Sequence, residues 1–202
     1  AFTKNEGTTV DVSSKKAYSA ISYQYKSMLA GDKTNLSNYG VNVGKLEAGG
    51  VYTHDLVGGQ KDTAGNAIAS DWVPNHMYLT ADLAGEDLAA ADSFGNMANP
   101  NKIANPDNLK YSQAFKTLFI GEDSGMHLNN CLWAYNTQTR TLSRLLSTPA
   151  GAESTGLHAI DEINGFTYIM SNFQHPGDEL EKYEKALGGT YGSLINAINT
   201  NY

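Results

Sequence analysis

Residues 117–136, TLFIGEDSGMHLNNCLWAYN, decide how this chain reads. An apolar run, TLFIG, ends on two adjacent acids, Glu122 and Asp123, and the chain returns through His127, Asn129 and Asn130 to a second apolar run, CLWAY. Both runs have the length and residue types of buried strands. Side chains alternate between the two faces of a strand, so one of the neighbouring acids is expected to face the interior.

Outward from this stretch, the same order of features occurs three times. EGTTVDVSSKKAYSAIS (6–22), PDNLKYSQAFKTLFIGED (106–123) and ESTGLHAIDEINGFTYIMSN (153–172) each place an acid before a short strand-like stretch, then a polar turn, then a strand rich in Tyr, Phe or Ile. Each is expected to form a hairpin. Further strands follow at GGVYTHDLVGG (49–59) and at CLWAYNTQT with TLSRLLS (131–147). The step from Asp107 to Glu153 is 46 residues, close to the roughly 40–50 residues of a four-stranded propeller blade. Blades are therefore expected near 6–59, 105–147 and 153–178, with an irregular insertion at 60–104 that holds a short helix at LAGEDLAAAD, and a helical tail at 179–202.

In a propeller the innermost strand of every blade runs along the central channel, so acids at equivalent strand ends gather on one axis while staying far apart in sequence. Clustered carboxylates in a low dielectric cannot all stay ionised unless a cation neutralises them. The repeat predicts metal.

Composition agrees. In 202 residues, a 41% hydrophobic content is enough for a core, while 17% charged residues, 20 Gly and 12 Tyr favour short strands and turns over long helices. The expected class is all-β. A net charge of -7 with only two arginines, Arg140 and Arg144, gives no footprint for nucleic acid or anionic lipid and favours cations as partners. No apolar run approaches the ~20 residues of a membrane span. Cys131 is expected to be a buried, unreactive thiol. The opening AFTKNEGTTV reads as a cut end, with any targeting segment upstream of it.

The candidate metal ligands are Glu6, Asp107, Asn108, Glu122, Asp123 and Glu153. Each has a plainer reading: Glu6 as a solvated strand start, Asp107 and Asn108 as turn chemistry after Pro106, Glu153 as a loop glutamate. Their repetition in phase argues for a shared role. Carboxylate and amide oxygens suit hard cations such as calcium or ferric iron, whereas structural zinc wants clustered Cys and His, which are missing. Neither HExxH, an EF-hand loop nor Gly-x-Ser-x-Gly occurs. His54 and His158 fall in strand patterns as core or surface residues. His127 and His175 lie beside the acidic loops, where they could support a ligand or meet a substrate.

The runs LFIGEDSGMHLNNCLWAYNTQTRTLSRLLSTPAGAESTGL and NGFTYIMSNFQHPGD, with NPDNLKYSQAFKTLFIGED and EGTTVDVSSKKAYSAIS, resemble the PhoX family of bacterial alkaline phosphatases. The resemblance covers most of the chain and is weakest over 60–100. It implies a six-bladed propeller that holds calcium and iron(III) in its channel and removes phosphate from monoesters in the periplasm or outside the cell. Glu6, Glu122, Asp123 and Glu153 are similar to the family's acidic ligands, with Asp107 and Asn108 as further candidates. The family's N-terminal half, with its cysteine ligand to iron, has no counterpart here, and Cys131 stands in an apolar strand. The chain looks like about half a propeller, to be completed by the missing half or another chain. Two other readings remain open: a calcium-stabilised binding or cell-surface scaffold, and a lactonase-type hydrolase.

Overall fold

The computed structural model describes residues 2–36 and 40–178. They are all-β, in antiparallel sheets that do not close on themselves. Strands β1 (Asn5–Asp11), β2 (Lys16–Ile21), β3 (Gly50–Val57) and β4 (Val73–Tyr78) pair in chain order in a first sheet. Strands β5 (Pro106–Ser112), β6 (Thr117–Glu122), β7 (Cys131–Asn136) and β8 (Thr141–Ser147) repeat that order in a second, and β9 (Glu153–Ile163) pairs with β10 (Phe166–Gln174) in a third. The three expected hairpins are β1–β2, β5–β6 and β9–β10.

The repeat is visible in the turns. Asp11 pairs with Lys16 and Ser112 with Thr117, and each turn closes on a lysine in the left-handed region, Lys15 at φ 52° and Lys116 at φ 51°. In the first turn the Asp11 carboxylate accepts from the backbone and hydroxyl of Ser13 and the hydroxyl of Ser14. In the second, Ser112 stands in the place of Asp11, and the carboxylate comes from Asp161 of β9, which accepts from the Ser112 hydroxyl at 2.5 Å and the Ala114 N–H at 3.1 Å.

Alternation along β6 explains why TLFIG reads as continuously apolar. Leu118 and Ile120 pack toward the first sheet with Tyr18, Ala20 and Val51, while Phe119 packs with Leu132 and Ala159 on the side of the third. The second sheet is thus covered on both faces, and each fully buried Leu or Ile contributes ~1.5–3 kcal/mol.

The first strands of the sheets lie side by side, β1 against β5 and β5 against β9. That approach needs glycine. A Cβ on Gly7 would fall 2.4 Å from the Asp107 carbonyl oxygen and 2.8 Å from the Leu109 nitrogen, and, where β6 meets β9, one on Gly121 would fall 2.3 Å from the Ser154 carbonyl oxygen. Because the obstacle is backbone, Gly7→Ala is expected to lower the unfolding free energy by ~1–3 kcal/mol, as overpacking does. Gly44→Ala, which meets open space, should lie near zero in the same urea titration.

Two expectations change. LAGEDLAAAD forms turns and isolated bridges, not a helix, and the helical structure among the described residues is a single 3-10 turn, Lys26–Met28. Tertiary pairing overrides a weak helical preference: Asp87 accepts from the Glu47 and Ala48 N–H groups at 2.8 and 2.7 Å, and Gly85 donates to the Gly49 carbonyl. The 60–104 stretch read as irregular contains β4, which pairs with β3 and carries Pro74 at a register shift, where an edge strand tolerates it. The tail at 179–202 lies outside the described residues.

Candidate functional site

Adjacent first strands bring their acids to one end of the sheets. In β1 the register with β2 shifts between Asn5 and Thr8, and in β5 the register with β6 shifts between Pro106 and Leu109. Glu6 and Asp107 therefore occupy equivalent irregularities, which re-aim side chains at a strand end. Asn105, fully buried at φ 41°, fixes this corner. Its side-chain amide donates to the carbonyls of Ser22 at 2.8 Å and Glu47 at 2.7 Å, and its side-chain oxygen accepts from the Ser124 hydroxyl at 2.6 Å.

Lys4 stands among the acids. Its ammonium lies 2.6 Å from Asp123 Oδ2, 3.7 Å from Asp107 Oδ2 and 4.0 Å from Glu6 Oε1. Glu153 faces the same charges, and its Oε1 is 3.5 Å from His175, whose other ring nitrogen is 3.6 Å from Asp178. Asp123, Glu153, His175 and Asp178 border a cleft of about 130 Å³. Asn108 donates to Asp107 at 2.8 Å and to Thr155 of β9 at 3.3 Å.

The cluster carries more negative than positive charge. Burial and then the Glu6 carboxylate raise the pKa of Asp107, and burial and then the Asp123 carboxylate raise that of Glu153, with Lys4 acting against both. For Lys4, burial is the largest influence and works downward, but the hydrogen bond and charge of Asp123 outweigh it and leave the ammonium held above its usual range.

Glu122 points the other way. It is 0% exposed, and protein donors engage both oxygens. Oε1 accepts from the Ala104 N–H at 2.9 Å and the Trp133 indole N–H at 2.7 Å, and Oε2 accepts from the Cys131 N–H at 2.8 Å and lies 3.1 Å from His127 Nδ1. The interior acid of the pair is thus Glu122, held as a core anion, while its neighbour Asp123 enters the cluster. His127, 3% exposed, is turned to Glu122 and lies 3.1 Å from its Oε2.

Burial pushes the His127 pKa down, and the hydrogen bond and charge of Glu122 more than reverse this, so it is raised overall. The pair's contribution is fully present below the ordinary histidine value near 6.5 and is lost as pH rises through the higher folded value. Stability is therefore expected to decline from pH 6.5 upward in the wild-type chain, and His127→Gln should flatten that decline in a pH series of urea midpoints.

Cys131 is buried as expected, and burial followed by the Glu122 charge pushes its thiol up to about 11. Neither arginine joins the acids. Arg140 grips Asp82 through two bonds of 2.9 and 2.6 Å, and Arg144 lies over Trp133 and donates to the Pro100 carbonyl.

Sequence reasoning missed Lys4, Asn105 and Asp178. Lys4 had a signal: it is the basic residue two positions before Glu6, at the start of the strand-like stretch. The donor chemistry, carboxylate oxygen, is that of a hard-cation site. As the side chains lie, no group of three Asp, Glu, His or Cys among the described residues is placed to hold a metal ion, and the Lys4 ammonium occupies the middle of the acids. Comparison with family models, curated proteins and solved structures finds no match. Among the described residues no helix is long and apolar enough to cross a membrane.

Proposed function

We propose that this chain forms part of a metal-dependent phosphomonoesterase of the PhoX type, acting in the periplasm or outside the cell. One observation carries the reading: Glu6, Asp107, Asp123 and Glu153, from three different sheets, converge on one end of the molecule with an excess of negative charge. Three sheets packed in succession, with their acid-bearing first strands adjacent, support reading them as consecutive blades of a six-bladed propeller that another segment or chain completes.

In this reading Glu6, Asp107, Asp123 and Glu153 hold calcium or iron(III) once Lys4 is displaced. Bound cations would neutralise charge on the transferring phosphoryl group. Lys4, freed from Asp123, would be available to a phosphate oxygen, and His175 orients Glu153. Glu122 takes no part beyond holding the corner. A calcium-stabilised scaffold without turnover is the second reading, favoured by the absence of both arginines from the cluster.

The test is turnover of p-nitrophenyl phosphate by protein incubated with calcium and iron(III), alongside elemental analysis, before and after chelation. Turnover that disappears on chelation supports the phosphatase. Retained calcium with no turnover supports the scaffold. Neither metal nor turnover overturns both.

A further inference from the structure

A second cleft, of about 420 Å³, is bordered by the 92–101 loop, the 127–131 segment and β8, and shares no lining residue with the acidic cleft. Its positive charge comes from Arg144. The guanidinium carbon lies 5.1 Å from the Trp133 ring centroid, and one amino group donates to the Pro100 carbonyl. Among the described residues no carboxylate pairs with Arg144, and its remaining N–H donors have no protein acceptor. Trp133 is 3% exposed and fixed by its bond to Glu122, so the guanidinium rests on a rigid aromatic platform.

The rest of the lining suits an amphipathic ligand. Phe94 is 66% exposed, a large apolar side chain left in water at the edge of the cleft. The Ser93 hydroxyl and the Asn101 side-chain amide also border it and have no protein hydrogen bond among the described residues. The acid that borders it, Asp92, is committed to its own loop, accepting from the N–H groups of Phe94 and Asn96 and the side-chain amide of Asn96 at 2.8–2.9 Å. His127, deeper in the lining, is turned to Glu122.

We propose that this cleft binds a small organic anion with a planar apolar body, an aryl carboxylate or aryl phosphate, with its anionic head on Arg144 and its ring against Phe94. A guanidinium matches either head group through paired N–H donors, and the volume falls within the roughly 300–1,000 Å³ of small-molecule pockets. Because no residue of the acidic cluster lines the cleft, binding here is independent of metal and of the phosphatase reading.

Trp133 is the natural reporter, and Trp72, the other tryptophan, is removed by Trp72→Phe. In EDTA, benzoate and phenyl phosphate are each titrated against Trp133 emission, with inorganic phosphate as the probe that lacks a ring. At least one aryl anion should give a saturable change with a midpoint below about 10 mM, and inorganic phosphate should bind at least about tenfold more weakly. Preference for benzoate or for phenyl phosphate identifies the head group. Arg144→Gln should weaken the aryl anion about tenfold or more. Phe94→Ser, a change at an exposed side chain, should weaken the aryl anion without altering inorganic phosphate. No saturable change with any probe, equal binding of inorganic phosphate, or unchanged binding in both variants would overturn the proposal.

Discussion

Glu122→Ala is expected to lower the stability of the fold by about 3–5 kcal/mol, the cost of stripping one partner from a buried ion pair. The carboxylate takes donors from four places: the Ala104 and Cys131 backbone, the Trp133 indole and the His127 ring. Removing it leaves these groups unmatched where water does not reach, since Glu122 is 0% exposed and Trp133 and His127 are each 3% exposed. Glu122→Gln keeps the volume but turns one acceptor into an amide N–H₂. Whichever way that amide is placed, it faces a backbone N–H, and the expected loss is about 1–3 kcal/mol. Against a typical total of ~5–15 kcal/mol the alanine variant is at the edge of folding. The readout is the urea midpoint with chelator present throughout. A carboxylate whose only task was to hold a metal would leave that metal-free midpoint unchanged.

The double variant Asp123→Asn, Glu153→Gln should behave in the opposite way. Both side chains sit in the open cluster, and the asparagine amide oxygen can still accept from the partly buried Lys4 ammonium, which also has Asp107 and Glu6 within 4.0 Å. The raised pKa of Glu153 means that the folded chain holds its proton more tightly than the unfolded chain, and stability falls as pH rises from the ordinary glutamate value through the folded one. Glu153→Gln removes that loss. The chelated double variant is therefore expected to match or exceed the wild type in urea midpoint at neutral pH. Its metal affinity should drop by more than the ~10–100-fold that even outer-shell changes cost. The check is metal retained after gel filtration. A Glu122 variant that is destabilised in chelator and a cluster variant that is not would separate the core anion from the cation site, although the two acids are neighbours in sequence.

The strands were legible because their side-chain pattern is local. TLFIGE, CLWAYN and GVYTHDLV carry the apolar content of buried strands, and the hairpins at 6–22, 106–123 and 153–172 follow from turn chemistry. β4 was not legible, because VPNHMY contains a proline and its pairing depends on β3, many residues earlier. LAGEDLAAAD failed for the same reason: its conformation is set by Asp87 reaching the Glu47 and Ala48 N–H groups. In the site, alternation correctly placed one of Glu122 and Asp123 inside but could not say which. The register of β6, pairing Pro106 with Glu122, decides that, and register is a property of two strands together. The same limit hid Asn105, whose partners Ser22 and Glu47 come from other segments.

The most direct measurement of whether the converging acids form a cation site is a calorimetric titration of the chelated, metal-free protein with calcium chloride. Saturable uptake by the wild-type chain, abolished in the Asp123→Asn, Glu153→Gln double variant whose fold is intact by urea midpoint, is the expected result. No saturable uptake by the wild type, or uptake that the double variant keeps in full, would contradict it and leave Lys4 as the cation that the cluster serves among the described residues.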